Sequence, residues 1–476
     1  MPKNTKETSQ TKKQGLNGTA QLAAFAANLT YDDLPEEVRH RARMFVLDGL
    51  GVMLGAVTFA EQDGDYCLDH YLELAAPPGR GTIVGSRRRT NPMMAAFANG
   101  TRSEVLDCQD TNITARIHNG SAIIPAALAM GEELTSSGRD VMVAAVAGYE
   151  VGTRLGHAVQ PSHWHSGFQM TGTFNTCAAA ATVGRLMEFD TDKMAAALGI
   201  SGFIMPISNG DNVFKGYNIK PIHGGQPAMC GLSAAYLARS GYRAGPLEGE
   251  PPRHHAALHI LGCENPDLTE ATRGFGKIWH SLEVGFKPYP VGLLIIGPVE
   301  AALALTAEKP ITTDNIEAVE IKTYHEALKF TGEKYTTTSS NFVDAHLSIP
   351  FCVATTLIDG EMTPHQLSQD RLADEAVHAL ARRITVVEDE DFSAMYPHEW
   401  PLNLQIRLKD GEVREKRIDQ VNWSPRRPPP WDEITAKFTT MAEPVIGSSR
   451  TKNAIDFVGD LDNAPSVEHL LKLVRK

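Results

Sequence analysis

The sequence predicts a mostly α-helical protein, with a large all-helical body and a smaller α+β lid domain. First, apolar residues recur at helical spacing from Thr19 to about Asn265, in alanine-rich segments such as TCAAAATVGRL. Second, alternating strand-like segments appear only after Gly285. Because 476 residues exceed the size of one ordinary domain, we expect about two or three domains.

The helical body is expected to span residues 18–280, after a flexible tail at residues 1–17. The tail is polar and lacks the apolar core of a signal peptide. The helix predicted in LPEEVRHRARMFVLDGLGVMLGA has Pro35 at its first position and acidic residues just after it. Both features favour a helix start. The many alanines favour helices and allow them to pack closely.

Residues 281–425 are expected to form the α+β lid domain. Strand-like alternation occurs in IEAVEIKTYHEAL, RITVVEDE and LNLQIRLKDGEVREKRI, and Asp410-Gly411 in the last segment indicates a hairpin. The proline-rich SPRRPPPW ends this region. Residues 426–476 have a helical pattern but are too few to fold alone, so we expect this tail to return to the first domain.

Composition narrows the class of protein. The net charge is −12 and no basic stripe occurs, which argues against nucleic-acid binding, although a local cationic pocket for small anions remains possible. The six cysteines are scattered without a CxxC pair, which indicates a reducing compartment. We see no apolar run approaching the roughly 20 residues that span a bilayer. We therefore expect a soluble, cytoplasmic protein that binds no membrane.

One polar stretch, GTRSEVLDCQDTNITARIHNG, lies between two apolar segments that are predicted to be buried helices. Polar groups in such a place must reach water or find partners inside the protein. A cluster of acids, bases and hydroxyls there is a candidate proton-transfer site. The alternative is a solvated loop with an ordinary helix cap. The polar residues are Glu104, Asp107, Asp110, Thr111, Arg116 and His118.

Two lysines are further candidates. Lys220 in GYNIKPIHGG precedes a predicted helix, whose N-terminus favours a bound carboxylate. Lys287 in GFKPYPVG lies in a turn stiffened by two prolines. Either could instead be an ordinary loop lysine. His163 and His165 resemble half of a metal site, but no second ligand pair accompanies them, so no metal is predicted.

Several segments, taken in order along the chain, resemble the MmgE/PrpD family, which includes 2-methylcitrate dehydratase, cis-aconitate decarboxylase and iminodisuccinate epimerase. The resemblance implies a helical body completed by the C-terminal tail, an inserted α+β lid, a homodimer and an active site in the cleft. It also implies that no metal or organic cofactor is used. The matching segments include VLDGLGVMLGA, ANGTRSEVLDCQDT, HNGSAIIPAALAMGEE, IKPIHGGQPAMCGLSAAYLA, FKPYPVG and DAHLSIPFCVATTLIDG.

The resemblance also implies site residues. The family's acidic element and the histidine after it fall on Asp107 and His118, with one extra residue before the histidine here. The two family lysines fall on Lys220 and Lys287. These four are the expected catalytic residues. Thr111 would orient a substrate oxygen, and both lysines would also hold substrate carboxylates.

Three positions depart from the pattern of the decarboxylases. Gln169 and Gly292 stand where those enzymes have histidines, and Phe351 stands where they have a tyrosine. Gln169 and His165 are added to the expected substrate-binding residues, since His165 could replace a missing imidazole.

The leading hypothesis is a lyase that acts on a di- or tricarboxylic acid by proton abstraction next to a carboxylate. A reaction like that of 2-methylcitrate dehydratase, or a related decarboxylation, comes first. The alternative is an epimerase or isomerase of an imino- or amino-dicarboxylate such as iminodisuccinate. A third reading is a binding or scaffold protein without activity.

Overall fold

The computed structural model describes residues 17–63, 68–250, 255–263, 266–332 and 341–476. Of the predicted flexible tail, all but Asn17 lies outside these residues. The predicted fold class is confirmed, because helices dominate and the strands form two small sheets.

The N-terminal part of the described chain is helical, as its spacing predicts. Asn91 accepts a hydrogen bond from the Met94 N–H, and Pro92 occupies the first turn, which is a favourable helix start. A two-stranded antiparallel sheet, Pro78–Thr82 with Arg89–Thr90, interrupts the helices. The helices of this part are Gly18–Asn28, Glu36–Asp63, Leu68–Ala75, Pro92–Val105, Gly120–Leu134, Gly138–Val159, Ser162–His165, Asn175–Leu186, Thr191–Ile204, Gly210–Phe214, Ile222–Arg239, Ala257–Ile260 and Leu268–Thr272.

A four-stranded sheet follows. Strand Ile316–Thr323 pairs in parallel with Ile384–Glu388 and antiparallel with Leu402–Leu408, which in turn pairs antiparallel with Val413–Ile418. The last pair is the hairpin predicted at Asp410-Gly411. The helices of this part are Ile296–Glu308, His325–Ala327, Phe342–Ala345, Ile349–Asp359, Gln369–Leu372, Glu375–Ala381 and Glu390–Met395, and Leu328–Gly332 is π-helical.

The C-terminal segment is helical and contacts the first part of the chain. Its helices are Trp431–Ile446, Ser448–Gly459 and Glu468–Leu473. Phe438 packs beside Gly51, and the Lys437 Nζ lies 2.6 Å from an Asp48 carboxylate oxygen. Side chains from the first and last helices therefore share one hydrophobic core. A second core joins the sheet, the helices around it and the C-terminal half of Glu36–Asp63.

One expectation about apolar segments was wrong. By length and composition the helix segment Glu36–Phe59 could cross a membrane, with a mean hydropathy of 1.5 over its most apolar window. However, 83% of that window is buried inside the protein. A core helix passes the same test, so this finding is weak evidence for a membrane span.

A close crossing of two helices sets the geometry of the later site. At Gly225, in Ile222–Arg239, an added Cβ would lie 2.3 Å from the Phe97 carbonyl oxygen of Pro92–Val105. At Gly100 it would lie 2.8 Å from the Gly224 oxygen. Only glycine allows this approach of the two backbones. Glu104, one turn after Gly100, and His223, two residues before Gly225, consequently meet.

Replacing Gly225 by alanine should destabilise the protein by about 1–3 kcal/mol, because the new methyl group cannot fit between the helices. Gly245 offers a matched control, since nothing lies within 4 Å of a Cβ built there. Gly245→Ala should change stability by no more than about 0.5 kcal/mol. Urea unfolding of both variants measures the difference, and equal midpoints would contradict the steric argument.

Candidate active site

A cavity with about 760 Å³ of empty space, part of it open to solvent, lies where the helical part meets the segment after Val284. The helical part contributes Asp107 and Lys220, and the later segment contributes Lys287 and Tyr396. The polar lining residues are Asp107, Thr111, Asn112, Arg116, His118, Gln169, Lys220, Lys287, Glu326 and Thr331.

Asp107 is held between the two predicted lysines. Its Oδ1 lies 2.7 Å from the Lys287 Nζ and 3.4 Å from the Lys220 Nζ. The Lys287 ammonium also donates to the Asp107 carbonyl oxygen at 2.9 Å. Lys287 is 0% exposed and Lys220 is 3% exposed, so this is a buried ion cluster. The structure therefore brings together side chains that are 180 residues apart in the chain.

The backbone at Asp107 contributes to this arrangement. The helix Pro92–Val105 ends two residues earlier, and Asp107 has a φ of 48°. This left-handed conformation is tolerated by aspartate better than by most other residues. It turns the chain directly after the helix, beside both lysines.

Glu104 forms the inner end of the cluster. One of its carboxylate oxygens lies 2.6 Å from the His223 Nε2 and 3.4 Å from the Lys220 Nζ. Burial raises the pKa of Glu104, but the charges of His223 and Lys220 outweigh burial, and the pKa falls well below its usual range. Burial likewise lowers the pKa of Lys220, whereas Asp107 and Glu104 raise it, and the net shift is upward. Both side chains are therefore charged at neutral pH.

Hydrogen-bonding capacity remains for a ligand. An ammonium group has three N–H donors, and Lys287 uses two of them on Asp107. One donor is left to bind a carboxylate. The contacts of Lys220 with its two carboxylates are both 3.4 Å long, which allows this side chain to turn toward a bound anion.

His118 lies beside this cluster in its neutral form. Its Nδ1 lies 3.1 Å from the Asp110 carbonyl oxygen. A carbonyl only accepts hydrogen bonds, so we assign the ring proton to Nδ1 and a free lone pair to Nε2. Burial and the positive charge of Lys287 lower the pKa of His118 to about 4. The ring can therefore accept a proton at neutral pH.

Asp110 holds the start of the helix that follows His118. It accepts hydrogen bonds from the Gly120 N–H, at 2.8 Å, and from the Tyr149 hydroxyl. An added Cβ on Gly120 would lie 2.7 Å from that hydroxyl oxygen, so the position requires glycine. Burial raises the pKa of Asp110 to about 7. Asp110 thus fixes the loop that carries His118.

The remaining predicted residues separate into two groups. Thr111 and Gln169 line the cavity. The Gln169 Oε1 accepts a hydrogen bond from the Thr171 N–H at 2.8 Å, which leaves its NH₂ group as a donor. His165 is exposed and lines a neighbouring cavity instead. The structure therefore does not bring His165 to the place where it could replace an imidazole.

The other two departures from the decarboxylase pattern also differ in position. Gly292 lines the cavity, and its N–H donates to the His346 carbonyl oxygen at 2.8 Å. Phe351 is fully buried in the second core and does not line the cavity.

His346 is a residue that sequence reasoning missed. Neither of its ring nitrogens has a hydrogen-bond partner among the described residues, and Nε2 lies 4.0 Å from an Asp107 carboxylate oxygen. Burial lowers its pKa to about 3. Its only signal was its place in the segment DAHLSIPFC. Glu104 and His223 were likewise visible in the polar stretch and beside Lys220, but nothing in the sequence paired them.

Three of these side chains have potential metal-ligand atoms that lie close together. Ligand atoms of Glu104, Asp107 and His118 lie within 4.8 Å of one another. However, the two carboxylates already contact lysine ammonium groups, which would repel a divalent cation. The prediction that the protein uses no metal stays a prediction.

Two family models match the chain. The MmgE/PrpD N-terminal domain matches residues 20–250, and the MmgE/PrpD C-terminal domain matches residues 289–463. The chain belongs to the MmgE/PrpD family, as its motifs predict.

Similar proteins carry related names. The chain is 27% identical to a cis-aconitate decarboxylase of Aspergillus terreus, over 96% of this chain and 95% of the relative. It is 26% identical to the cis-aconitate decarboxylase-like protein oryM of Aspergillus oryzae, over 96% and 97%. It is 22% identical to the human cis-aconitate decarboxylase, over 96% and 94%.

Replacing Lys287 by methionine should destabilise the fold by about 3–5 kcal/mol, because Asp107 would lose its nearest counter-charge inside the protein. Lys309 is a matched control, since it forms an exposed salt bridge with Glu412 at 3.0 Å. Lys309→Met should cost about 0–1 kcal/mol. Urea unfolding measures the free energy of unfolding of both variants. An equally small loss of stability in the two would contradict the proposed contribution of the buried cluster to stability.

Proposed function

We propose that the protein is a lyase that acts on a small carboxylic acid, by breaking a bond at a carbon next to a bound carboxylate. The observation that carries this proposal is the buried Asp107–Lys220–Lys287 cluster beside the neutral His118. Decarboxylation is the first reaction to test, because the relatives described above are named for it. Dehydration of a 2-methylcitrate-like hydroxy acid is the second.

The lysines would supply the electrostatic part of the reaction. When carbon dioxide leaves, the electron pair of the broken C–C bond passes to the neighbouring carbon and onto a conjugated carboxylate. When water is lost, a base first removes a proton and the same charge develops. Ammonium groups that are already in position stabilise this charge without reorganisation, which is the usual source of a large rate effect.

His118 would move the proton. In dehydration its Nε2 lone pair takes the proton from the substrate carbon, a C=C bond forms as the C–O bond breaks, and the imidazolium gives that proton to the leaving hydroxyl group, which departs as water. In decarboxylation the imidazole first takes a proton from solvent and then gives it to the carbon that has lost carbon dioxide. Thr111 and the Gln169 NH₂ group would orient substrate oxygens at the cavity wall.

The alternative is an epimerase of an imino- or amino-dicarboxylate. It would use the same lysines to hold carboxylates and return the proton to the other face of the carbon. The cluster alone serves both reactions, so product analysis has to distinguish them.

Incubation of the protein with cis-aconitate, 2-methylcitrate, citrate and iminodisuccinate in deuterium oxide tests the proposal. We expect the substrate to lose carbon dioxide or water. NMR and mass spectrometry of the products measure this loss. Lys220→Ala should lower the turnover by about 10²–10³-fold, as removal of one charge-stabilising donor does. Lys309→Ala, on the surface, should leave it unchanged. Deuterium exchange with no change of composition would favour the epimerase, and turnover unaffected by Lys220→Ala would contradict the site.

The pKa of His118 predicts the pH dependence. Lowering the pH protonates His118 and removes its base function, but only near its pKa of about 4. For dehydration, in which neutral His118 is the base, we therefore expect kcat/KM to stay level from pH 7 to about 5 and to fall below that. For decarboxylation, in which protonated His118 is the acid, kcat/KM should instead rise as the pH falls toward 4. The exposed His325 is a control, because His325→Gln should not move the profile. A decline centred near 6.5, the ordinary pKa of histidine, would contradict the role of His118.

Other expectations remain proposals of the same kind. The resemblance to the family implies a homodimer and the absence of an organic cofactor. The composition of the sequence predicts a cytoplasmic location and the absence of nucleic-acid and membrane partners. Several large apolar side chains, including Ile207 and Ile260, are exposed, at 78% and 66%. Burial of such side chains in a dimer would be favourable.

A further inference from the structure

We propose that the cavity contains an apolar subsite and that the substrate is a carboxylic acid with an alkyl or aryl arm, rather than a citrate-like tricarboxylic acid. This inference deepens the proposed function and rests on it for the identity of the reacting end. The observation behind it is the composition of the cavity wall beyond the lysine cluster.

Three aromatic rings form one side of this subsite. The Trp164 ring lies edge-on to Phe214, at 5.2 Å between centroids, and to Phe330, at 5.5 Å. Phe214 and Phe330 are 5.0 Å apart. The rings come from three separate segments, and a π-helical turn, Leu328–Gly332, presents Phe330. Such turns often occur at functional sites.

Aliphatic side chains add to the apolar lining. Leu293, Leu294 and Leu347 line the same cavity as the three rings. At Gly292 an added Cβ would lie 3.1 Å from the Leu347 side chain. The absence of a side chain at Gly292 therefore leaves the leucine wall uncovered and open to a ligand.

The charges near the cavity do not suit three carboxylates. The lysine ammonium groups are already balanced by the carboxylates of Asp107 and Glu104. Among the lining residues that the structure describes, Arg116 is the remaining cation, and it stacks over the Trp164 ring at 4.8 Å. Glu326 adds a negative charge to the cavity lining.

A carboxylate placed against the rings and leucines would lose its hydration without gaining partners, which is costly. It would also be repelled by Glu326. An alkyl chain in the same place gains about 0.8 kcal/mol per buried methylene group. The lysine cluster can bind one carboxylate and Arg116 a second. The wall thus selects a mono- or dicarboxylic acid with an apolar arm.

A series of substrates with one common core tests this inference. 2-Substituted malic acids with a carboxymethyl arm, as in citrate, and with methyl, propyl, hexyl or benzyl arms all keep the hydroxyl group and are compared by kcat/KM for the loss of water. We expect about a fourfold gain per added methylene group until the subsite is full, and a lower value for the carboxymethyl arm than for the propyl arm. A preference for the carboxymethyl acid would overturn the inference.

A pair of variants locates the effect. Phe330→Ala should reduce the gain from longer arms and raise KM for the hexyl acid more than KM for the methyl acid. Phe203→Ala removes an exposed aromatic ring that does not line the cavity, and it should change neither value. An equal effect of both variants would contradict the assignment of the subsite.

Binding measurements separate this inference from the proposed function. Saturated analogues that cannot react, butylsuccinate and tricarballylate, are titrated into the wild-type protein by calorimetry. Tighter binding of butylsuccinate, even if no acid is turned over, supports the subsite while the proposed function fails. Turnover of cis-aconitate together with tighter binding of tricarballylate would support the lyase and overturn the subsite. If neither analogue binds, the subsite is overturned as well.

Discussion

Two ammonium groups and one carboxylate meet in a place that water hardly reaches, and the site depends on this contact. Asp107 can be buried because Lys287 donates to it twice and Lys220 lies close to it. Each charge would be costly inside the protein without the others. The cluster therefore joins the helical part of the chain to the segment after Val284, and it provides the cations that a bound carboxylate would need.

The cluster depends in turn on two helices whose backbones pack closely at glycine residues. Gly100 and Gly225 allow two helices to approach, so that Glu104 and His223 can pair beside Lys220. The carboxylates of Asp107 and Glu104 raise the pKa of Lys220 against the effect of burial. Much of the remaining cavity lining is different, because it consists of aromatic and leucine side chains. A charged cluster and an apolar lining in one cavity together describe a site for an acid with an apolar arm.

Much of the fold could be predicted from the sequence, for local reasons. Helical spacing, alanine content and proline positions depend on neighbouring residues, and they predicted the helices correctly. The hairpin at Asp410-Gly411 followed from turn chemistry. The prediction that no apolar segment is long enough to span a bilayer was wrong for Glu36–Phe59. Charged and polar residues interrupt this segment, but its mean hydropathy is still high.

The sequence by itself determined the residue types of the site, because Asp107, His118, Lys220 and Lys287 belong to recognisable local motifs. Only the tertiary structure decided their partners, since Asp107 and Lys287 meet across 180 positions of the chain. It placed His346 beside Asp107 and Glu104 beside Lys220, and it left His165 outside the cavity. Burial and charge neighbours are set by packing, so the neutral state of His118 and the apolar wall of the cavity could be found only there.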